Sequence, residues 1–348
     1  MPDPGEPLVV RVMRKFASQL LAREGVQMDE MARRWLSVER SLQEQMDGLA
    51  REIADLRAAG ETVSRAKLAR MARYRSLLAQ AQGEIGRYID YADRTITARQ
   101  LSFAEMGLND SARAIEASYQ MNYLEASFNR LPVEAVERMA GLAGDGSPLR
   151  TLLRQAWPEA ADGMTTQLVN AIALGKNPRV TAKAMADGLA NGLNRCLTIA
   201  RTEQLRAYRD ATRAQYQQSG VVRGYKRIAA HQSRTCMACL LADGKVVTVS
   251  GELGEGAYSL DQHFQMHPQC RCTMVPVVIG MPEIQYRTGL DWFRALPESQ
   301  QRLQMGDKYF AAWKDGVFDL PQLVGVKRDA TWGDSLHVRS LKDLMRKE

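Results

Sequence analysis

The chain has 348 residues, 45% hydrophobic and 25% charged, with five cysteines and a net charge of +7. That is enough apolar surface for a normal core without disulfide staples. No apolar run approaches the roughly 20 residues of a bilayer span, and the opening MPDPGEPLVVRVMRKF lacks the apolar core and cleavage site of a secretory signal. A reducing compartment and no membrane partner are expected.

In chain order, the first third reads as helices. Met28, Met31, Trp35, Val38, Leu42, Met46, Leu49, Ile53 and Leu56 recur at steps of three and four, close to a heptad seam. Gly60 interrupts the run. A second stripe follows through Leu68, Met71, Tyr74, Leu78, Ile85, Tyr88, Ile89 and Ile96. Two long helices around a short break predict an antiparallel hairpin. A third helix is expected over roughly 110–129.

GLAGDGSPLR, from Gly141, reads as a domain boundary; it lacks the GxxxxGK[ST] of a phosphate-cradling loop. Leu152–Ala173 and then Thr181–Gln218 are expected to be helical, with Thr181 as N-cap and Gly220 as stop. Residues 181–230 hold nine Lys/Arg against three Asp/Glu, whereas the rest of the chain is nearly balanced. Arg195, Arg201, Arg206, Arg209 and Arg213 carry this surplus on the long helix. It reads either as an electrostatic footprint on phosphates or as a solvated helix face.

From Val221 the pattern turns to strands: VVRGYKRIAA, then ADGKVVTVSGE with an Asp-Gly hairpin signal, then TMVPVVIG. The tail, 281–348, is expected to hold short helices and loops with Trp292, Trp313 and Trp332. The fold class is therefore α+β and predominantly α-helical. A helical hairpin over 1–140 precedes a helical domain with a small antiparallel sheet and a Cys/His knot over 141–280, and 281–348 is a Trp-containing tail.

Four cysteines lie within 37 residues: Cys236-Met-Ala-Cys239, then His267-Pro-Gln-Cys270-Arg-Cys272. A C-x-x-C turn aims two thiolates at one ion, and a second thiol/imidazole pair completes a tetrahedron, which points to structural zinc. The preferred ligands are Cys236, Cys239, His267 and Cys270, with Cys272 as substitute for Cys270. The alternatives are buried free thiols or a Cys–Cys bridge formed in an extracellular particle. His231 and His263 read as flanking polar residues, and Cys196 as core packing. No H-x-E with P-C-x-x-C, no H-E-x-x-H and no G-x-S-x-G is present. A fully ligated Cys/His site leaves no open position for substrate, so no catalytic residue is expected and the protein is read as a non-enzyme.

The run Leu197-Thr-Ile-Ala-Arg201-Thr202-Glu203 precedes Ser233-Arg-Thr-Cys236-Met-Ala-Cys239, Asp243-Gly244 and His267-Pro-Gln-Cys270-Arg271-Cys272-Thr273. This order resembles the head-morphogenesis family of tailed phages named for the F protein of phage Mu. The likeness covers about 150–280 and is weaker around Gly289, Trp292, Gly306 and Trp332-Gly333. The resemblance implies a minor head protein of the virion, present in few copies and recruited with the portal during procapsid assembly in the host cytoplasm. It also implies possible scaffold or major capsid contacts and a role in retaining or ejecting packaged double-stranded DNA. With no base-reading module, such DNA contact is expected to be non-specific. Competing readings are a zinc-containing DNA-binding regulatory module, and a nuclease or transferase. Arg201 or Glu203 is expected to pair across to the strand layer.

Overall fold

The computed structural model describes residues 5–138, 140–249, 267–329, 332 and 334–345. His263, Gly333, the first four residues and the end of the expected hairpin segment (250–252) lie outside them. Three long helices dominate: α1 (Leu8–Ala58), α3 (Ala72–Gln120) and α7 (Pro178–Gln218). Short helices α2 (Arg65–Arg70), α4 (Glu134–Glu137), α5 (Leu149–Leu153) and α6 (Ala156–Ala173) fill the intervals. Then come β1 (Val222–Ile228), α8 (Met237–Leu241), β2 (Val246–Thr248) and β3 (Thr273–Val278). The tail adds α9 (Gly289–Arg294), α10 (Glu298–Met305), α11 (Asp307–Lys314), β4 (Val324–Lys327), β5 (Ser335–Val338) and α12 (Leu341–Leu344). The α+β, mostly helical architecture expected from the sequence is the one found.

Two compact units divide the chain, and they interleave along it. One takes Glu24–Ala98 and Gly141–Arg201; the other takes Met1–Arg23, Arg99–Ala140 and Thr202–Glu348. These bounds cut the chain differently from the three consecutive blocks anticipated above.

The first of these units contains the expected antiparallel helix pair. Tyr88 donates to the Met31 carbonyl at 3.0 Å, Gln80 to the Ser41 carbonyl at 2.8 Å, and Arg73 pairs with Glu52 at 3.2 Å. Partner numbers fall on one helix as they rise on the other, the signature of a hairpin. Trp35 is fully buried edge-on to Tyr88, with ring centroids 4.8 Å apart. From Met28 to Ile53 the predicted stripe is buried throughout, whereas Leu56 is only half-buried. On α3 Leu77 is fully buried and Leu78 half-buried; helical steps of three and four from the buried Tyr74 reach both. Each such aliphatic side chain contributes roughly 1.5–3 kcal/mol. Gly163 and Gly188 let α6 and α7 approach closely: a Cβ on Gly188 would lie 2.3 Å from the Gly163 oxygen.

Several boundaries depart from expectation for identifiable reasons. Residues 8–27 are already helical, burying Val9, Val10, Met13, Phe16 and Leu20 at helical spacing. The third helix expected over 110–129 is the end of α3, which stops where Tyr123 takes a left-handed conformation (φ 58°). Leu152–Ala173 is split into α5 and α6, with Pro158 tolerated in the first turn of α6. Asn177, not Thr181, caps α7: its Oδ1 accepts from the Val180 N–H at 2.9 Å, with Pro178 opening the helix. Gly220 follows as expected, with φ 73°.

In the second unit the sheet order is β2-β1-β3, antiparallel throughout, with Tyr225 opposite both Val247 and Pro276. Asp243-Gly244 does not join two strands directly, because α8 lies between β1 and β2 and the dipeptide turns the chain from α8 toward β2. A β4–β5 pair (Val324 opposite Val338) was not anticipated; its four-residue strands are too short to show an alternating pattern. Phe293, Phe310, Leu323 and Leu336 form a core with α8 beneath this tail.

Candidate metal centre

The Cys/His segment is built on the part of α7 from Thr202 onward and on the sheet, all within the second unit. Cys236 caps α8, its sulfur accepting from the Cys239 N–H at 3.4 Å, so the C-x-x-C turn forms the helix start. The distal pair comes from a tight turn closed by the Cys270 N–H on the His267 carbonyl at 3.1 Å. Gln269 occupies the left-handed region (φ 64°) in that turn, and its N–H reaches the buried Thr202 hydroxyl at 3.1 Å. The His267 Nδ1 meets the Pro268 oxygen at 2.7 Å, leaving Nε2 to face the thiols.

These donors converge. His267 Nε2 lies 3.2 Å from both Cys236 Sγ and Cys239 Sγ, and Cys239 Sγ lies 3.8 Å from Cys270 Sγ. Cys236, Cys239 and His267 form one potential ligand triad; Cys239, Cys270 and Cys272 form another, sharing Cys239. With Zn–S bonds of about 2.3 Å, a tetrahedron has sulfur–sulfur edges of about 3.8 Å. The donor types in each triad and the Cys239–Cys270 spacing fit a thiophilic divalent ion, while Cys270 joins Cys236 and His267 only through the shared Cys239. The hydrogen bond with Cys239, reinforced by His267, holds the Cys236 thiol at about 4 despite burial. Burial alone would lower the imidazole of His267, but Cys236 and Cys270 raise it to about 9. All five cysteines are free thiols, and Cys196 is fully buried, its thiol pushed up to about 12 by desolvation.

Two buried guanidinium groups surround the cluster. Arg209 donates through Nε to the Cys272 carbonyl at 3.0 Å and through Nη2 to the Cys270 carbonyl. Arg227, on β1, directs Nη2 at Cys270 Sγ (2.9 Å) and Cys239 Sγ (3.7 Å). Behind them, the Asp243 carboxylate accepts from the Ala229 N–H (2.7 Å), the Gly289 N–H (2.7 Å) and the Tyr286 hydroxyl (2.9 Å). It also meets His231 Nε2 at 2.8 Å, and His231 stacks on Trp292. Asp243 thereby fastens β1, α8 and α9 together, and His231 belongs to this network rather than to the thiol cluster. The sequence flagged Asp243 only as a turn residue and did not flag Arg227; no local pattern marks a buried cation on a strand.

The site is not sealed. Cys236, Cys239, His267 and Cys272 line a cleft of about 300 Å³ with Arg234 and Arg271. Cys236 and His267 are half-buried, so solvent reaches this side of the cluster.

The five arginines proposed for DNA are placed differently from a free basic stripe. None is exposed. Arg209 is committed to the Cys loop. Arg201 pairs with Glu24 on α1, and Glu203 lies 3.8 Å from Arg206 on its own helix. Arg195 meets Gln155 and lies 3.6 Å from Glu159. Arg213 is half-buried beside Tyr225. Counting charges along a helix does not reveal which of them already have partners.

Fold and site together define a mostly helical α+β protein whose second unit is organised around a Cys/His cluster. Residues 162–275 match the family model described as Phage Mu protein F like protein, so the chain carries a Mu F-like segment. That segment includes Thr202, Arg209, Arg227 and every Cys/His donor named above. No curated protein and no solved structure matches the chain. The match, over about a third of the chain, supports a phage head-morphogenesis protein in general. Among the described residues no helix is long and apolar enough to cross a membrane.

Proposed function

We propose that this chain is a minor head protein of a tailed phage, docked at the portal and touching packaged double-stranded DNA without sequence preference. In this reading it joins the procapsid in the host cytoplasm, remains in the virion, and affects DNA retention or ejection. The observation that carries the reading is the coincidence of the Mu F-like segment with the convergent Cys/His cluster. Contacts with scaffold or major capsid protein are part of the same proposal. Any DNA contact falls to partly exposed arginines such as Arg195, Arg201, Arg206 and Arg213, since Arg209 is buried. The non-enzymatic reading rests on the structural character of the matched family.

Zinc is the proposed ion, held by Cys236, Cys239, His267 and Cys270, with Cys272 as the substitute. Its role here is to pin the α8 turn to the Cys270 loop. The deciding experiment is to localise the chain in procapsids and virions and to test its co-purification with portal protein. Density or crosslinks at the portal vertex are expected; a chain confined to the host cell and missing from particles would overturn the proposal.

A further inference from the structure

The environment of the thiols says which kind of centre they are built for, given the metal reading above, on which this inference rests. Arg227 is 4% exposed, and a guanidinium remains charged at any accessible pH, so its burial is costly unless acceptors satisfy its donors, as the Cys270 and Cys272 carbonyls do for Arg209, or a negative group faces it. Its Nη2 reaches two sulfurs, Cys270 at 2.9 Å and Cys239 at 3.7 Å. Neither is a backbone carbonyl, in contrast to the Arg209 contacts with Cys270 and Cys272. The two arginines thus divide the work: Arg209 shapes the loop backbone, and Arg227 faces the donor atoms themselves.

The charges of the possible centres differ. A divalent ion with two thiolates and two neutral ligands carries no net charge and offers Arg227 nothing to neutralise. Three thiolates and one imidazole give a single negative charge, which one guanidinium balances. We infer that Arg227 is the built-in counter-ion of a three-thiolate, one-imidazole centre and governs how tightly the centre holds its ion. The thiolates are Cys236, Cys239 and Cys270, and the imidazole is His267. Arg227 is a positioning residue: it sits on β1, held in register opposite Met274 of β3, so the sheet fixes its approach to the sulfurs.

The test uses the full chain loaded with cobalt(II), whose ligand-field and sulfur-to-metal charge-transfer bands report the number of thiolates. Wild-type protein should show a tetrahedral three-thiolate spectrum. Arg227→Gln should release its ion to a competing chelator at roughly 10–100-fold lower chelator concentration. Arg227→Lys, which keeps the charge but not the planar fork, should fall between them. Lys226→Met removes a different buried cation, one bound to Glu283 and the Ile284 carbonyl, and should lower thermal stability without changing spectrum or release. If Arg227→Gln does not fold, the wild-type thiolate count and the Arg227→Lys release still decide the matter. Release from the Arg227 variants equal to wild type overturns the inference while leaving the metal reading intact, and a two-thiolate spectrum overturns the inference together with the proposed ligand set, though not ion binding itself. A wild-type chain that takes up no ion overturns both.

Discussion

The Thr202 hydroxyl accepts a hydrogen bond from the Gln269 N–H at 3.1 Å, tying the middle of α7 to the turn that presents His267 and Cys270. Two motifs 67 residues apart are thus one structural device. Thr202 steadies the strained residue between the two donors, and Arg209, two turns further along α7, holds the carbonyls that follow. This contact gives a physical reason for the A-R-T-E run and the H-P-Q-C-R-C run to occur in one chain.

Thr202→Val keeps the shape of the side chain and removes the acceptor. Losing this bond at an exposed residue should cost about 0.5–1.5 kcal/mol. Thermal unfolding measures the loss, and Thr202→Ser should recover most of it; a Val variant as stable as wild type would contradict this role.

Metal content should be about one zinc per chain, and chelation should lower the unfolding temperature. Cys239→Ser should be the most damaging single thiol replacement, because Cys239 belongs to both triads. Cys272→Ser should retain the ion if Cys270 is the ligand. Elemental analysis of the purified variants checks the order.

Asp110 offers a pH test away from the thiols. It accepts from the Tyr208 hydroxyl at 3.1 Å, and burial pushes its carboxyl up to about 6. The folded chain therefore holds this proton more tightly than the unfolded chain, whose carboxyl titrates near 3.9. Ionising it costs stability: the cost is absent below about pH 4, grows as pH rises, and is complete above about pH 6. Asp110→Asn keeps an acceptor for Tyr208 and should stabilise the chain above pH 6 by on the order of 1 kcal/mol. The gain should vanish below pH 4; a gain independent of pH would refute the assignment.

Arg209 and the exposed Arg87 should respond very differently to the same substitution. Arg209→Gln strands two carbonyl acceptors in the interior and should cost about 2–5 kcal/mol. Arg87→Gln removes an exposed i,i+3 pair with Glu84 on α3 and should cost under about 1 kcal/mol. Urea unfolding of the two variants makes the comparison. Equal effects would mean that Arg209 is not holding the Cys loop.

Periodicity and spacing carried much of the design into view. Trp35 and Tyr88 were legible as core because helical steps repeat around them, and Cys236 and Cys239 because two thiols so close need a shared purpose. What stayed hidden depends on distant partners. Arg209 looked like a DNA contact because a helix displays its charges in sequence without displaying the carbonyls of a loop 61 residues away. Arg227 gave no signal at all, since a cation inside a strand reads as an exposed one. The helix over 8–27 has regular apolar steps, and a step of three or of four from Tyr74 does not by itself separate Leu77 from Leu78.

The interleaving of the two units has a consequence for synthesis on the ribosome. The unit made of Glu24–Ala98 and Gly141–Arg201 has all its residues once position 201 has emerged, whereas the other already owns the first 23 residues and must wait for the tail. The nascent chain therefore has to keep Val9, Val10 and Met13 from wrong associations until Val275 and Ile284 are made. Shortening the gene from its 3′ end would strip the Cys/His unit while sparing the helix pair, whereas deletions from the 5′ end would injure both.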